Sequence, residues 1–163
     1  LDMKLVYDVS HNIAKVEKHK VDGKERKVVV HRKGATRAFP ANRDEIPSRY
    51  RDLGQPVLVP GSMGTASWVL LGQPNSMDLS FGSTAHGAGR TMSRSKARRN
   101  YTEDSVKKSL NDKGIFIKAL TRDGVVEETP QAYKDVDAVV NVSHNLGIAT
   151  KVAKLVPIGV IKG

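Results

Sequence analysis

Short apolar, largely β-branched runs set the pattern of this chain more than long amphipathic stripes do. VVVH at 28–31 is one such run, and it follows VDGK at 21–24. An Asp-Gly pair between extended segments is a strong hairpin signal, because both residues tolerate the positive φ of a tight turn. Residues 57–59 read as a buried strand that opens onto the small-residue loop PGSMGTAS at 60–67. Residues 68–71 read as a further strand, with turn chemistry in GQPN at 72–75. Strands are also expected over 1–9, 114–120, 139–142 and the apolar close of the chain, 156–161. Helical character is expected over 91–100, with Thr91 or Ser93 as N-cap, and over 146–155, while 132–137 reads as polar helix or turn. Strands and helices intersperse without regular βαβ alternation. The expected class is α+β, mixed and mostly antiparallel.

At 163 residues the chain can bury one sizeable core. No apolar run approaches the ~18–20 residues of a membrane span, so no membrane partner is expected. Cys is absent, which excludes disulfides and thiolate metal sites within these residues and fits a reducing cytoplasm. The first residues lack an initiator Met, and the chain reads as the C-terminal piece of a longer protein. Charge adds a direction. Twenty-seven Lys+Arg against 17 Asp+Glu give +10, which favours polyanionic partners. With one Trp, four Tyr and three Phe, a base-stacking platform is not expected, so phosphate contacts would dominate. A merely solvated basic surface is equally open at this point.

Candidate chemistry concentrates in GSTAHGAGR at 82–90. Gly87 and Gly89 let the backbone turn sharply beside His86 and leave its imidazole accessible. Arg90, Arg94 and Arg98 recur every four residues and line one face of the expected helix. With Lys96 and Arg99 they make five cations in ten residues without an acid, at a helix N-terminus that itself favours an anion. The loop at 60–67 offers backbone N–H groups and the hydroxyls of Ser62, Thr65 and Ser67, but it lacks the ending of a P-loop. Lys20 opens a K-x-D-G sequence, the lysine-nucleophile signature of classical nucleotidyltransferases, yet its charged surroundings describe an exposed hairpin tip. VSHN occurs twice, at 9–12 and 142–145, and places His11 and His144 at expected strand ends.

YDVSHN at 7–12, HRKGATRAFP at 31–40, PGSMGTAS at 60–67, HGAGRTMSR at 86–94 and the terminal GVIKG together resemble the RtcB-type RNA-splicing ligases over the whole chain. The resemblance implies the C-terminal part of a single larger catalytic domain. It implies sealing of RNA 3′-phosphate or 2′,3′-cyclic phosphate ends to 5′-hydroxyl ends, such as tRNA exon halves, using GTP and two manganese ions. By the same resemblance His86 is the nucleophile that takes GMP, and His11 is a manganese ligand with Asn12 beside it at the nucleotide. Pro60, Gly61, Ser62, Met63, Ser67, Gly87, Ala88 and Gly89 are implied GMP contacts. Lys162 reaches the guanine, and Arg90 and Arg94 hold phosphates of RNA or GTP. The remaining metal ligands would lie upstream, so these residues alone are expected to be inactive. A cytoplasmic monomer and an archease-type activating protein go with the family. Two other readings stay open: a non-catalytic basic RNA-binding module, and a nucleotidyltransferase working through Lys20.

Overall fold

The structure is a computed structural model that describes residues 2–163. Its strands are β1 (Asn12–Val21), β2 (Lys24–Lys33), β3 (Ala35–Arg37), β4 (Pro56–Val59), β5 (Ser67–Gly72), β6 (Ser83–Ala85), β7 (Phe116–Ala119), β8 (Ala149–Leu155) and β9 (Gly159–Lys162). Its helices are α1 (Asn75–Ser80), α2 (Arg94–Asn100), α3 (Glu103–Asn111), α4 (Arg122–Val126) and α5 (Val136–Asn145), with short 3-10 turns at Ser48–Tyr50 and Pro130–Ala132. The α+β reading holds. Antiparallel pairs β1–β2 and β3–β6 and the three-stranded sheet β4–β5–β8 account for all but one ladder, the parallel pair β7–β9.

The Asp-Gly hairpin forms as the sequence predicts. Asp22 and Gly23 both take positive φ (52° and 75°), and the strands pair from Val21–Lys24 back to Asn12–Lys33. The inner face of this ribbon holds a buried ionic cluster. Arg32, 2% exposed, donates to both Glu17 oxygens at 2.7 and 2.8 Å, to Ser83 Oγ at 2.8 Å and to the Phe81 carbonyl at 2.8 Å. His19 Nε2 lies 2.9 Å from Glu17. Burial would push the Glu17 carboxyl up, but hydrogen bonds and charge from Arg32 and His19 hold it below the usual carboxylate value.

Two small cores carry the rest. One gathers Val57, Val59 and Leu70 of the β4–β5 ladder with Val136 and Val140 of α5, Ala149 of β8, and Ala38, Ala66 and Ala88. The other gathers Val106 and Leu110 of α3 with Val125 of α4, Ile115 and Met63. The loop at 60–67 bridges them, with Ala66 in the first core and Met63 in the second.

Three expected elements are corrected. Residues 139–142 lie within helix α5, not a strand: Val136, Val140 and Ser143 are its buried positions, a spacing of four and three that only a helix aligns. The β-branched run is misleading because Asp135 caps the helix by accepting from Asp137 N and tertiary burial overrides propensity. Residues 149–155 form strand β8, not a helix. Gly147 at φ 65° ends the preceding turn, and β8 completes the sheet against β5. His144 therefore sits near a helix end, not a strand end. Finally, residues 2–10 form no strand, and Leu1 lies outside the described residues. Side chains tether this segment instead, with Tyr50 Oη donating to the Val6 carbonyl at 2.7 Å, Gln55 to Tyr7 Oη at 3.0 Å and Thr36 to the Ser10 carbonyl at 2.9 Å.

Glu17→Gln is expected to destabilise the protein by about 3–5 kcal/mol, because it leaves the Arg32 guanidinium buried without a counter-charge. Urea unfolding measures this. Joint replacement of Glu17 and Arg32 by Leu and Met should cost much less than the single change.

Candidate active site

His86 follows β6 directly, and Gly34 separates β2 from β3. Because β3 and β6 pair at Ala35–Ala85, the β3–β6 ladder brings Gly34 against the His86 ring. A Cβ on Gly34 would lie 3.9 Å from both Cε1 and Nδ1 of His86, and its φ of 72° disfavours any side chain there. The Gly34 amide donates to the His11 carbonyl at 3.2 Å. The hairpin base is thereby joined to the β3–β6 ladder, and the His11 and His86 rings stack, with centroids 4.8 Å apart and planes within 9°. His86 Nδ1 is buried without a hydrogen-bond partner, so Nε2 is the nitrogen open to a substrate.

The segment after His86 is held on both sides. Ala88 N donates to the Pro60 carbonyl at 2.9 Å, Lys134 N to the Gly89 carbonyl at 2.9 Å and Thr91 N to the Ala132 carbonyl at 2.7 Å. The amides of Gly87 and Gly89 have no backbone acceptor among the described residues. A Cβ at Gly87 would stand 3.3 Å from the Pro60 carbonyl. The structure thus brings His11, Gly34, Pro60 and the 86–89 loop to one place. Ala88 and Met63 point into the core, 4% and 8% exposed, so only their backbones face outward. In the 60–67 loop, Ser62 N is bonded to Thr65 Oγ1 at 2.7 Å, and Gly64 N to Ser62 Oγ at 3.3 Å. A Cβ on Gly61 would overlap the Ala66 carbonyl at 2.1 Å. Ser67 opens β5 opposite Leu155, and Asn12 opens β1 opposite Lys33.

The cationic run looks different in three dimensions. Helix α2 starts at Arg94, with Ser93 as the capping side chain; Arg94 and Arg98 face acids of α4 and the residues just after it, whereas Lys96 and Arg99 have no ion pair among the described residues. Arg94 lies 3.4 Å from Glu127 and 3.6 Å from Glu128, and Arg98 lies 2.5 Å from Glu127 and 3.7 Å from Asp123. Arg90 is fully engaged. It donates to the Met92 carbonyl at 3.0 Å, the Glu127 carbonyl at 2.5 Å, Glu128 at 3.2 Å and Tyr133 Oη at 3.1 Å, and stacks over the Tyr133 ring at 4.9 Å. The expected acid-free face is thus acid-paired, and Arg94, 66% exposed, is the most available member. Cations without an ion pair among the described residues gather instead on the hairpin, at Lys15, Lys20, Lys24, Arg26, Lys27 and Lys33. Lys20 is exposed there opposite Glu25.

Glu128 and Tyr133 are site residues that sequence reasoning missed. The Tyr133 hydroxyl donates to Glu128 Oε2. Burial would raise the Glu128 carboxyl, yet the Tyr133 hydroxyl and the charges of Lys162, Arg90 and Arg94 hold it below its ordinary value. Burial and Glu128 together push the Tyr133 phenol up. Strand β9, which carries Lys162, docks as expected: it pairs in parallel with β7, Ala119 facing Lys162, and Leu120 N donates to the Lys162 carbonyl at 3.0 Å. The described residues contain no group of three or more His, Cys, Asp or Glu side chains able to hold a metal ion. His11 offers one imidazole only.

A stacked histidine pair lies beside a glycine loop, with the Glu128–Tyr133–Arg90 cluster next to it, an arrangement suited to a phosphorylated ligand. The chain matches the family described as "tRNA-splicing ligase RtcB" over residues 1–163 and belongs to it. It is 58% identical to the tRNA-splicing ligase RtcB of Thermococcus kodakarensis and 55% identical to that of Nanoarchaeum equitans, in each case over all of this chain and 34% of the relative. It is 58% identical to the protein of that name from Pyrococcus abyssi, over all of this chain and 18% of the relative. The chain therefore spans about a third of the length of the first two relatives.

Arg90→Lys is expected to cost about 1.5–3 kcal/mol, since an ammonium cannot reproduce the guanidinium fork. Arg94→Lys should change stability by no more than about 0.5 kcal/mol. Thermal unfolding distinguishes the two, and faster amide exchange at Gly87–Arg90 in Arg90→Lys alone would confirm the anchor.

The Glu128–Tyr133 pair also predicts two limits in pH. The depressed Glu128 carboxyl contributes stability above its ordinary value of 4.5 that is lost as pH falls through the lowered one. The raised Tyr133 phenol contributes stability below 10.0 that is lost as pH rises through the raised one. Melting temperature against pH should lose part of its acid limb in Glu128→Gln and part of its alkaline limb in Tyr133→Phe.

Proposed function

We propose that this chain carries the nucleotide-accepting histidine of a GTP- and manganese-dependent RNA ligase. The enzyme joins RNA 3′-phosphate or 2′,3′-cyclic phosphate ends to 5′-hydroxyl ends, as in the splicing of tRNA exon halves. The observation that carries the reading is His86: flanked by glycine, stacked on His11, and with one ring nitrogen buried and the other open. The names of its relatives point the same way.

Each residue has a part that its position supports. His86 Nδ1 is buried without a partner, so Nε2 is the nitrogen whose lone pair can attack phosphorus. The His11 stack and the close fit to Gly34 hold the ring plane, which keeps that lone pair in line. GTP, when bound, would supply a guanylyl group: attack on its α-phosphorus would release pyrophosphate and leave GMP on His86, from which GMP would pass to activate the RNA 3′-phosphate. The free amides of Gly87 and Gly89 suit phosphate oxygens. Manganese, when bound, would neutralise those oxygens; His11 is the ligand this chain offers, and the others would come from the rest of the ligase. Lys162, held by β9, can donate to guanine O6, where adenine presents an amino donor. Arg94 is the exposed arginine that can meet an RNA phosphate. A cytoplasmic setting and an archease-type activator belong to the same reading.

In the full-length enzyme, His86→Ala should abolish the covalent GMP adduct formed from labelled GTP with manganese, and Lys20→Ala should leave it intact. An adduct lost in Lys20→Ala and retained in His86→Ala would favour the lysine-dependent reading instead.

Arg94→Gln should weaken RNA binding similarly for all sequences and lower the slope of log affinity against log salt by about 0.7 for one phosphate contact to a single strand. An unchanged slope would make Arg94 a solvated partner of Glu127.

A further inference from the structure

The strongest unassigned feature of the molecule is a groove of about 490 Å³ beside β2. Val29, His31 and Ala35 line it from the hairpin side, and Ser80, Phe81 and Ser83 from the turn between α1 and β6. It reaches the active site, because Ala35 pairs with Ala85, the residue before His86. Its volume falls within the roughly 300–1,000 Å³ usual for ligand sites, and no step proposed above uses it.

Phe81 gives the groove its character. It closes α1 with φ 51°, in the left-handed region where helix ends ordinarily take glycine or asparagine and a bulky side chain is rare. The surroundings hold it there. Its carbonyl accepts from Arg32 Nη2 at 2.8 Å and from Ser83 Oγ at 3.2 Å, and the Gly82 amide donates to the Ser76 carbonyl at 2.7 Å. The ring meets His19 edge-on, centroids 5.2 Å apart, yet the residue stays 45% exposed. Strain of this kind clusters at ligand sites, where the surroundings fix a side chain in a conformation it would not choose alone. Val29, in the same groove, is 70% exposed. Lys27 and Lys33 are exposed on its face of β2, because side chains alternate along a strand, and neither has an ion pair among the described residues. Lys27 stands directly opposite Lys18. Lys18 reaches Glu25 at 3.3 Å, which leaves Lys27 facing a like charge that an anion would relieve.

We infer that this groove receives one base of the RNA strand, stacked on the Phe81 ring, while Lys33 and Lys27 meet phosphates on either side of it. This rests on the reading of the chain as part of an RNA ligase, and adds where the strand behind the reacting end lies. The occupant follows from three features of the groove. An exposed aromatic ring accepts any base, because every base has a π-face. The unpaired lysines beside it suit a polyanion and would be a poor match for an apolar protein segment, against which lysine is almost never buried. The groove also leads to His86 through the β3–β6 ladder. The chain has too few aromatic residues for a run of stacked bases, so a single base is held and phosphate contacts supply the rest. One stacked base adds affinity without reading sequence, and it sets the direction of the strand so that the terminal phosphate is presented toward His86.

The test uses the full-length ligase and a fluorescein-labelled single-stranded RNA with a 3′-phosphate, its affinity read by anisotropy. Phe81→Gly removes the ring and suits the positive φ. RNA affinity should fall about tenfold, the worth of one stacked base, with the slope of log affinity against log salt unchanged. Lys33→Gln should instead lower that slope by about 0.7. An abasic ribose moved stepwise back from the 3′ end should cost the unsubstituted enzyme the same tenfold at one position, and cost Phe81→Gly nothing further there. Val29→Glu, at an exposed position, should weaken binding as well; it is the variant to read if Phe81→Gly lowers the melting temperature by more than a few degrees. Unchanged RNA affinity in both variants would overturn the inference. Accompanied by a lowered melting temperature, that result gives the groove to another segment of the ligase; accompanied by loss of a dimer, it gives the groove to a second copy. His86→Ala separates the two levels: a GMP adduct that survives there sinks the ligase reading itself, whereas an adduct lost there with unaltered RNA affinity in Phe81→Gly and Val29→Glu sinks only the role of the groove.

Discussion

The engagement of Arg90 is the constraint on which the site depends. One guanidinium joins the loop after His86 to the end of α4, through the Glu127 carbonyl and Glu128, and to Tyr133 through both hydroxyl and ring. A loop built around Gly87 and Gly89 has little stiffness of its own. It is made rigid from outside, by Arg90 at one end, by the Ala88–Pro60 hydrogen bond in the middle and by the Ala88 methyl packed into the core. The nucleophilic role proposed for His86 needs this order, because a ring nitrogen that wanders by an ångström loses much of its advantage.

A second junction, at Gly34, gives His86 its neighbour. The hairpin β1–β2 could swing about its base if nothing held its inner face. The Glu17–Arg32 pair, with Ser83 and the Phe81 carbonyl as further acceptors, fastens it to the segment that leads into β6 and His86. A buried pair of this kind adds little net stability, yet it specifies one arrangement, since any other leaves a charge unmatched. The stack of His11 on His86 follows from that fastening. Stability and site geometry thus share one set of contacts, and the tension between free cations on the hairpin and acid-paired cations on α2 is settled by which of them lie near α4.

Some of the fold was legible because its causes are local. The Asp-Gly turn, the Ser93 cap, the strands at 57–59 and 68–71 and the docking of the chain end as a strand follow from turn chemistry, capping and short-range hydrophobic patterning, and they are found where expected. Where the sequence misled, the deciding partner was distant. The run at 139–142 has strand propensity, but α5 needs Val136 and Val140 on one face against β4 and β5. Residues 149–155 could form either element until β5 supplies a ladder. Helices α1 and α4 are short and are stabilised mainly by what they cover, whereas α3 carries a local signal, the Thr102–Ser105 capping box with Val106 and Leu110 on one face.

The site divides along the same line. The sequence by itself determined which residues are candidates for chemistry: a histidine set among glycines, a basic chain without cysteine, and family motifs that single out His11, His86 and Lys162. Those are properties of residue type and order, and no folding is needed to state them. Only the tertiary structure decided how the rings of His11 and His86 stack, that Arg90, Arg94 and Arg98 are paired with Asp123, Glu127 and Glu128, and that Tyr133 joins Arg90 on one of those acids. The arginines and histidines that meet stand apart in the chain, from Arg98 and Asp123 to His11 and His86, and charge and hydrogen bonding act through space, so register along the chain does not reveal such encounters.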